Sequence, residues 1–126
     1  MSQDVAVRFE IPEKLRGVVR AVVDRKAVDM RVLHIGDISD FTEFFLICSG
    51  TNQRQVQAIA DAVVSGARDG GIRPLGVEGY NHGNWVLVDY GDMVIHIFDA
   101  ENRAVYGLER LWSDATDITD AFLAGD

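Results

Sequence analysis

Residues 83–98, GNWVLVDYGDMVIHIF, constrain this chain more than any other stretch. Aromatic and β-branched residues crowd both ends, as a pleated surface favours, and one turn signal interrupts them. The run predicts a β-hairpin: a strand from Asn84 to Asp89, a tight turn at Tyr90-Gly91, and a return strand from Asp92 to Phe98. Gly91 supplies the backbone freedom such a turn needs. A two-residue turn sets Asp89 opposite Asp92, Leu87 opposite Val94 and Trp85 opposite His96 on one side. It sets Val88 opposite Met93, Val86 opposite Ile95 and Asn84 opposite Ile97 on the other, which is almost purely aliphatic and is expected to be core.

The first side mixes a Trp, a His, two aliphatic residues and two acids. Like charges directly opposite cost roughly 0.2–1 kcal/mol, so Asp89 and Asp92 ask for solvent, a cation or a basic partner. This mixed side with its turn is the candidate functional surface. The plainer reading has Trp85 and His96 packed under a helix and both acids solvated at the turn.

Two helical stripes precede the hairpin. Leu15, Val18, Val19, Val22 and Val23 share one face of a helix expected from Pro12 to Lys26. Val56, Ile59, Ala60, Val63, Val64 and Ala67 form the second, with Asn52 and Gln55 in capping-box positions and Gly70-Gly71 ending it. Between them, Arg31 to Ile35 reads as a strand. FFLIC, Phe44 to Cys48, reads as a central strand covered on both faces. Ile72 to Val77 is a short strand that Pro74 confines to an edge or a strand start. After Phe98, Asp99 caps a short helix towards Trp112, with Leu111 and Trp112 docking on the body.

These elements predict an α/β fold: a mixed sheet of about five strands, helices mainly on one face, in the order αββαβββα. Residues 1–112 form a single domain. Residues 113–126 are an acidic tail, loose or frayed, with Ile118, Phe122 and Leu123 available to a groove. Residues 1–11 are a weakly patterned lead-in.

Composition narrows the function. The net charge is −8, and four acids follow Trp112 with no base among them, leaving 16 acids against 12 bases before it. An acidic body suits a basic protein surface better than a phosphate backbone. Cys48 is the one cysteine, so no internal disulfide forms and a reducing cytoplasm is expected. No apolar run approaches the roughly 20 residues that span a bilayer, and no signal peptide is expected. Gly50-Thr51 before a helix lacks the Lys of a P-loop and the glycine spacing of a dinucleotide fingerprint. Asp92 and His96, four apart on a strand, lie roughly 13 Å from one another and cannot share an ion. The sequence therefore predicts no cofactor and no metal.

Four stretches carry a resemblance: FFLICSGTNQRQVQAIADAV from Phe44 to Val63, PLGVEG from Pro74 to Gly79, WVLVDYGDMVIHIF from Trp85 to Phe98, and RAVYGLERLW from Arg103 to Trp112. From about Leu15 to Trp112 the chain resembles the Iojap-related ribosomal silencing factors, RsfS. The resemblance implies a nucleotidyltransferase-like α/β domain without enzymatic activity. It implies binding to ribosomal protein L-fourteen of the large subunit, obstruction of small-subunit joining, lowered translation when nutrients are scarce, and dimers when free. On that footing Trp85 and Leu87 are expected anchors, Tyr90 and Gly91 shape the turn, Asp89 and Asp92 pair with basic residues of the partner, and His96 belongs to the same face. The chain departs from the family pattern at Glu43, Asn52 and His34. An enzyme would need carboxylates converging on metal ions, which acids at either side of a hairpin bend do not supply. A generic dimerisation module is the other alternative.

Overall fold

Seven consecutive buried residues, Phe44–Gly50, form strand β2, around which the sheet is assembled. The computed structural model describes residues 12–120. Helix α1 spans Glu13–Asp24, β1 spans Val28–His34, and α2 spans Gln53–Asp69. Strands β3 (Gly76–Glu78), β4 (Trp85–Asp89) and β5 (Met93–Asp99) follow, then α3 (Ala100–Tyr106), α4 (Leu108–Leu111) and β6 (Thr116–Asp117). The sheet order is β3-β4-β5-β2-β1-β6. β2 and β5 run parallel, and every other neighbouring pair is antiparallel. The long α2 supplies the crossover that a parallel pair requires.

The fold is thus a mixed α/β sheet with six strands where about five were expected. The sixth, β6, pairs with β1 at Leu33 and His34, inside the segment expected to be a loose tail. Ile118 is fully buried in the core, and the Thr119 hydroxyl accepts the Val32 amide at 2.9 Å. A single aliphatic residue between acids gave this segment no visible period, yet it closes an otherwise open strand edge. Phe122 and Leu123, like the lead-in of residues 1–11, lie outside the described residues.

Both predicted helical stripes face the same side of the sheet. Leu15, Val18, Val19 and Val22 meet Val56, Ile59, Ala60 and Val63 over Val32, Leu46, Cys48, Val86, Val88, Ile95 and Ile97. Each fully buried aliphatic side chain contributes about 1.5–3 kcal/mol. Val23, placed on the apolar face by its spacing, is exposed at the end of the helix. The capping box is built as expected at its first bond: Asn52 Oδ1 accepts the Gln55 amide at 2.8 Å. The Gln55 side chain reaches back to Thr51 N at 2.6 Å, one residue before the cap. Cys48 is buried, and burial pushes its thiol up to about 12, so it is an inert core residue. β3 is an edge strand, as Pro74 implied, but is shorter than expected and begins at Gly76.

Leu33, Ile35, Phe45, Ile47, Val94 and Phe98 form a second apolar layer on the opposite face. The short helices α3 and α4 cover it only in part, through Tyr106, Leu108 and Trp112 just after α4. The remainder of this face is the candidate surface.

Candidate partner-binding surface

The predicted hairpin forms, but its register differs. Trp85 pairs with Phe98, Leu87 with His96 and Asp89 with Val94. The connection is longer than two residues: Tyr90 N donates to Met93 O at 2.9 Å, and Asp89 Oδ1 accepts the Gly91 amide at 2.8 Å. Gly91 adopts φ +84°. The shift moves each partner by two positions. An even shift keeps every side chain on its original face, so Trp85, Leu87 and Asp89 still share a side with Val94, His96 and Phe98.

On that side β4 alternates as a half-covered strand should: Trp85, Leu87 and Asp89 are half-buried, while Val86 and Val88 are buried. Trp85 stacks on Phe98 at 5.0 Å between ring centroids and meets Tyr106 of α3 at 4.6 Å. Its Nε1–H donates to His96 Nδ1 at 3.1 Å. An indole nitrogen only donates, so Nδ1 of His96 is the acceptor and the imidazole proton sits on Nε2. That Nε2 is buried and has no hydrogen-bond partner among the described residues. The imidazole meets Phe45 edge-on at 4.5 Å, and burial lowers its pKa to about 4. His96 is therefore neutral near pH 7. It lies beneath the surface and orients the indole, where a direct contact with a partner was expected.

Three residues that the sequence did not single out for this face complete it. Phe41 is 63% exposed and Tyr106 is 53% exposed. Phe41 lies 5.9 Å from the half-buried Trp112, which itself meets Phe45 at 5.5 Å. A belt of rings thus crosses the face from Tyr106 and Trp85 through His96 to Phe45, Trp112 and Phe41. The signal for Phe41 was a lone aromatic residue in a polar turn; the topology that brings it beside Trp112 was not readable. Trp112 docks on the body as expected, whereas Leu111 is exposed.

Two predicted contributors face elsewhere. Tyr90 is buried in the core beneath α1 and α2, and desolvation raises its phenol pKa. Asp92 does not oppose Asp89; its Oδ1 lies 2.7 Å from Lys14 Nζ on α1. Asp89 opposes Val94 instead, and each acid has its own internal contact.

This face belongs to a chain whose residues 8–125 match the family model described as "Ribosomal silencing factor during starvation". The chain belongs to the ribosomal silencing factor family, RsfS. A ribosomal silencing factor RsfS from Halalkalibacterium halodurans is 44% identical over 106 residues, covering 84% of this chain and 91% of the relative. A crystal structure of a protein from Chromobacterium violaceum is 32% identical, with a TM-score of 0.78 over 80% of this chain and 84% of that one. A Mus musculus relative named "Mitochondrial assembly of ribosomal large subunit protein 1" is 31% identical over 112 residues, covering 86% of this chain and 47% of its own length.

The departures from the family pattern are satisfied within the chain. His34 is buried, and its Nε2 lies 3.0 Å from Glu43 Oε2. Asn52 caps α2. Neither contributes to the aromatic face.

Proposed function

We propose that this protein is a non-enzymatic silencing factor of the cytoplasm that docks on ribosomal protein L-fourteen of the large subunit and, once seated, obstructs the small subunit. The aromatic belt around Trp85 carries the reading: an apolar, partly open face on a rigid sheet, in a member of the RsfS family. Interfaces of ordinary affinity place a few aromatic or apolar anchors inside a polar rim. Trp85 and Leu87 are the anchors here, Tyr106 lies against Trp85, Trp112 and Phe41 continue the belt beyond Phe45, and Asp89 is a rim acid. The net charge of −8 favours a basic partner. The large-subunit partner also accords with the name of the mouse relative.

A steric block needs no reaction, and a nucleotidyltransferase-like fold serves here as a scaffold. Asp92 is engaged by Lys14 and Asp89 by the turn amide. The direct test mixes purified large and small subunits with the protein and reads joined ribosomes by sedimentation. The protein is expected to travel with large subunits and to lower the joined fraction. An unchanged joined fraction at saturating protein overturns the proposal.

A further inference from the structure

A cleft opens at the carboxyl ends of β2 and β5, beside α3. The chain leaves β2 through Thr51 into α2, which packs on the face shared with α1. It leaves the neighbouring parallel strand β5 directly into α3, whose Tyr106 packs on the opposite face against Trp85 and Phe98. Adjacent parallel strands whose chains depart to opposite faces open a crevice at their carboxyl ends, and ligands of open α/β sheets bind in such crevices. Here that position holds a cleft of about 310 Å³ between the end of β2, the start of β1 and the α3–α4 corner.

The charges in the cleft do not all cancel internally. Arg103 and Glu109 satisfy each other, Nε to Oε1 at 2.6 Å, and Arg103 Nη1 also donates to Ser49 Oγ at 2.9 Å. The other two charged residues on the wall are Arg110, from the helical corner, and Asp29, from β1. Neither has an ion-pair partner among the described residues. Arg110 has a single long hydrogen bond, 3.5 Å to Ala104 O. Its guanidinium lies across Gly107, where a Cβ would overlap it. Asp29 stands in a bulge of β1 between Val28 and Arg31, with φ +51°. Bulges re-aim side chains and recur beside binding sites. Asp29 and Arg110 are both exposed, and the same wall carries apolar Val28, Ala100 and Ala104 beside Ser49, Gly50 and Thr51.

One cation and one anion without ion-pair partners, on a wall that is also partly apolar, complement a compact zwitterion. We infer that the cleft binds a free α-amino acid with a short aliphatic side chain. Its carboxylate meets the Arg110 guanidinium, its ammonium meets the Asp29 carboxylate, and its side chain lies on Val28, Ala100 and Ala104.

The test titrates the full chain with L-valine and follows backbone amide shifts, with isovalerate and isobutylamine as analogues that each lack one charge. Valine is expected to shift the amides around Val28, Ala104 and Gly107 saturably. Each analogue is expected to bind about tenfold more weakly or worse. Asp29→Asn keeps a residue tolerant of the left-handed conformation, and Arg110→Gln alters an exposed side chain, so both variants are expected to fold. Each should weaken valine by about tenfold, and Asp29→Asn should leave isovalerate unaffected. Absence of saturable shifts with valine up to about 50 mM, a concentration that reveals even millimolar affinity, overturns the inference. Valine affinity unchanged in both variants overturns it equally.

Discussion

The bond from the Trp85 indole gives the His96 imidazole a structural task, and its burial gives it a pH signature. The folded-state pKa of about 4 lies below the usual value of 6.5. Below pH 6.5 the unfolded chain takes up a proton at this position that the folded chain refuses until about pH 4. Stability is therefore full above pH 6.5 and is lost as pH falls through the interval to about 4, by on the order of 3 kcal/mol in all. His96→Phe keeps an aromatic ring but removes the titration. Urea midpoints compared at pH 7 and pH 4.5 should fall more in the wild type than in the variant, and equal falls contradict the assignment. Asp92 belongs at this scale too. Its ion pair with Lys14 is 41% exposed on the Asp92 side chain, and such pairs contribute about 0–1 kcal/mol. Asp92→Asn should cost less than about 1 kcal/mol in urea denaturation and leave large-subunit affinity unchanged.

Elements show why some of the structure was legible from sequence and some was not. Hydrophobic period announced α1, α2 and β2, because each buries a face or a whole strand and tolerates little else there. The hairpin faces were also legible, since side-chain alternation survives an even register shift. The register was not, because a side-chain bond from Asp89 to the Gly91 amide builds a longer turn than the Tyr-Gly pair suggested. Nor was β6, whose two residues gain their meaning only from the open edge of β1. Ile118→Ala removes a fully buried side chain there and should cost about 2–5 kcal/mol; a loss below about 0.5 kcal/mol, the range of ordinary surface changes, would return this segment to the status of a loose tail. Gly79 has φ +79°, and a Cβ there would overlap the Trp85 carbonyl oxygen. Gly79→Ala should therefore detach β3 from β4. Faster amide exchange at Leu87 and Asp89, the residues facing β3, is the expected readout.

For the whole molecule, one sheet face is sealed by two long helices and the other is left partly open, with aromatic rings across it. The candidate face was half legible: Trp85 and Leu87 lie on the sheet face that alternation assigned them, while Tyr90 and Asp92 turned to the helical side and Phe41 arrived from a distant turn. The acidic charge adds a long-range term. Raising salt from about 0.01 to 0.15 M shortens the screening length from about 30 to 8 Å, and large-subunit affinity should fall over that range. The central claim is that the ring belt is the docking surface. The decisive measurement is co-sedimentation of Trp85→Ala with purified large subunits, its fold verified by thermal unfolding. The account predicts a loss of more than about 1 kcal/mol, roughly fivefold in affinity, and affinity equal to wild type in a folded variant would contradict it.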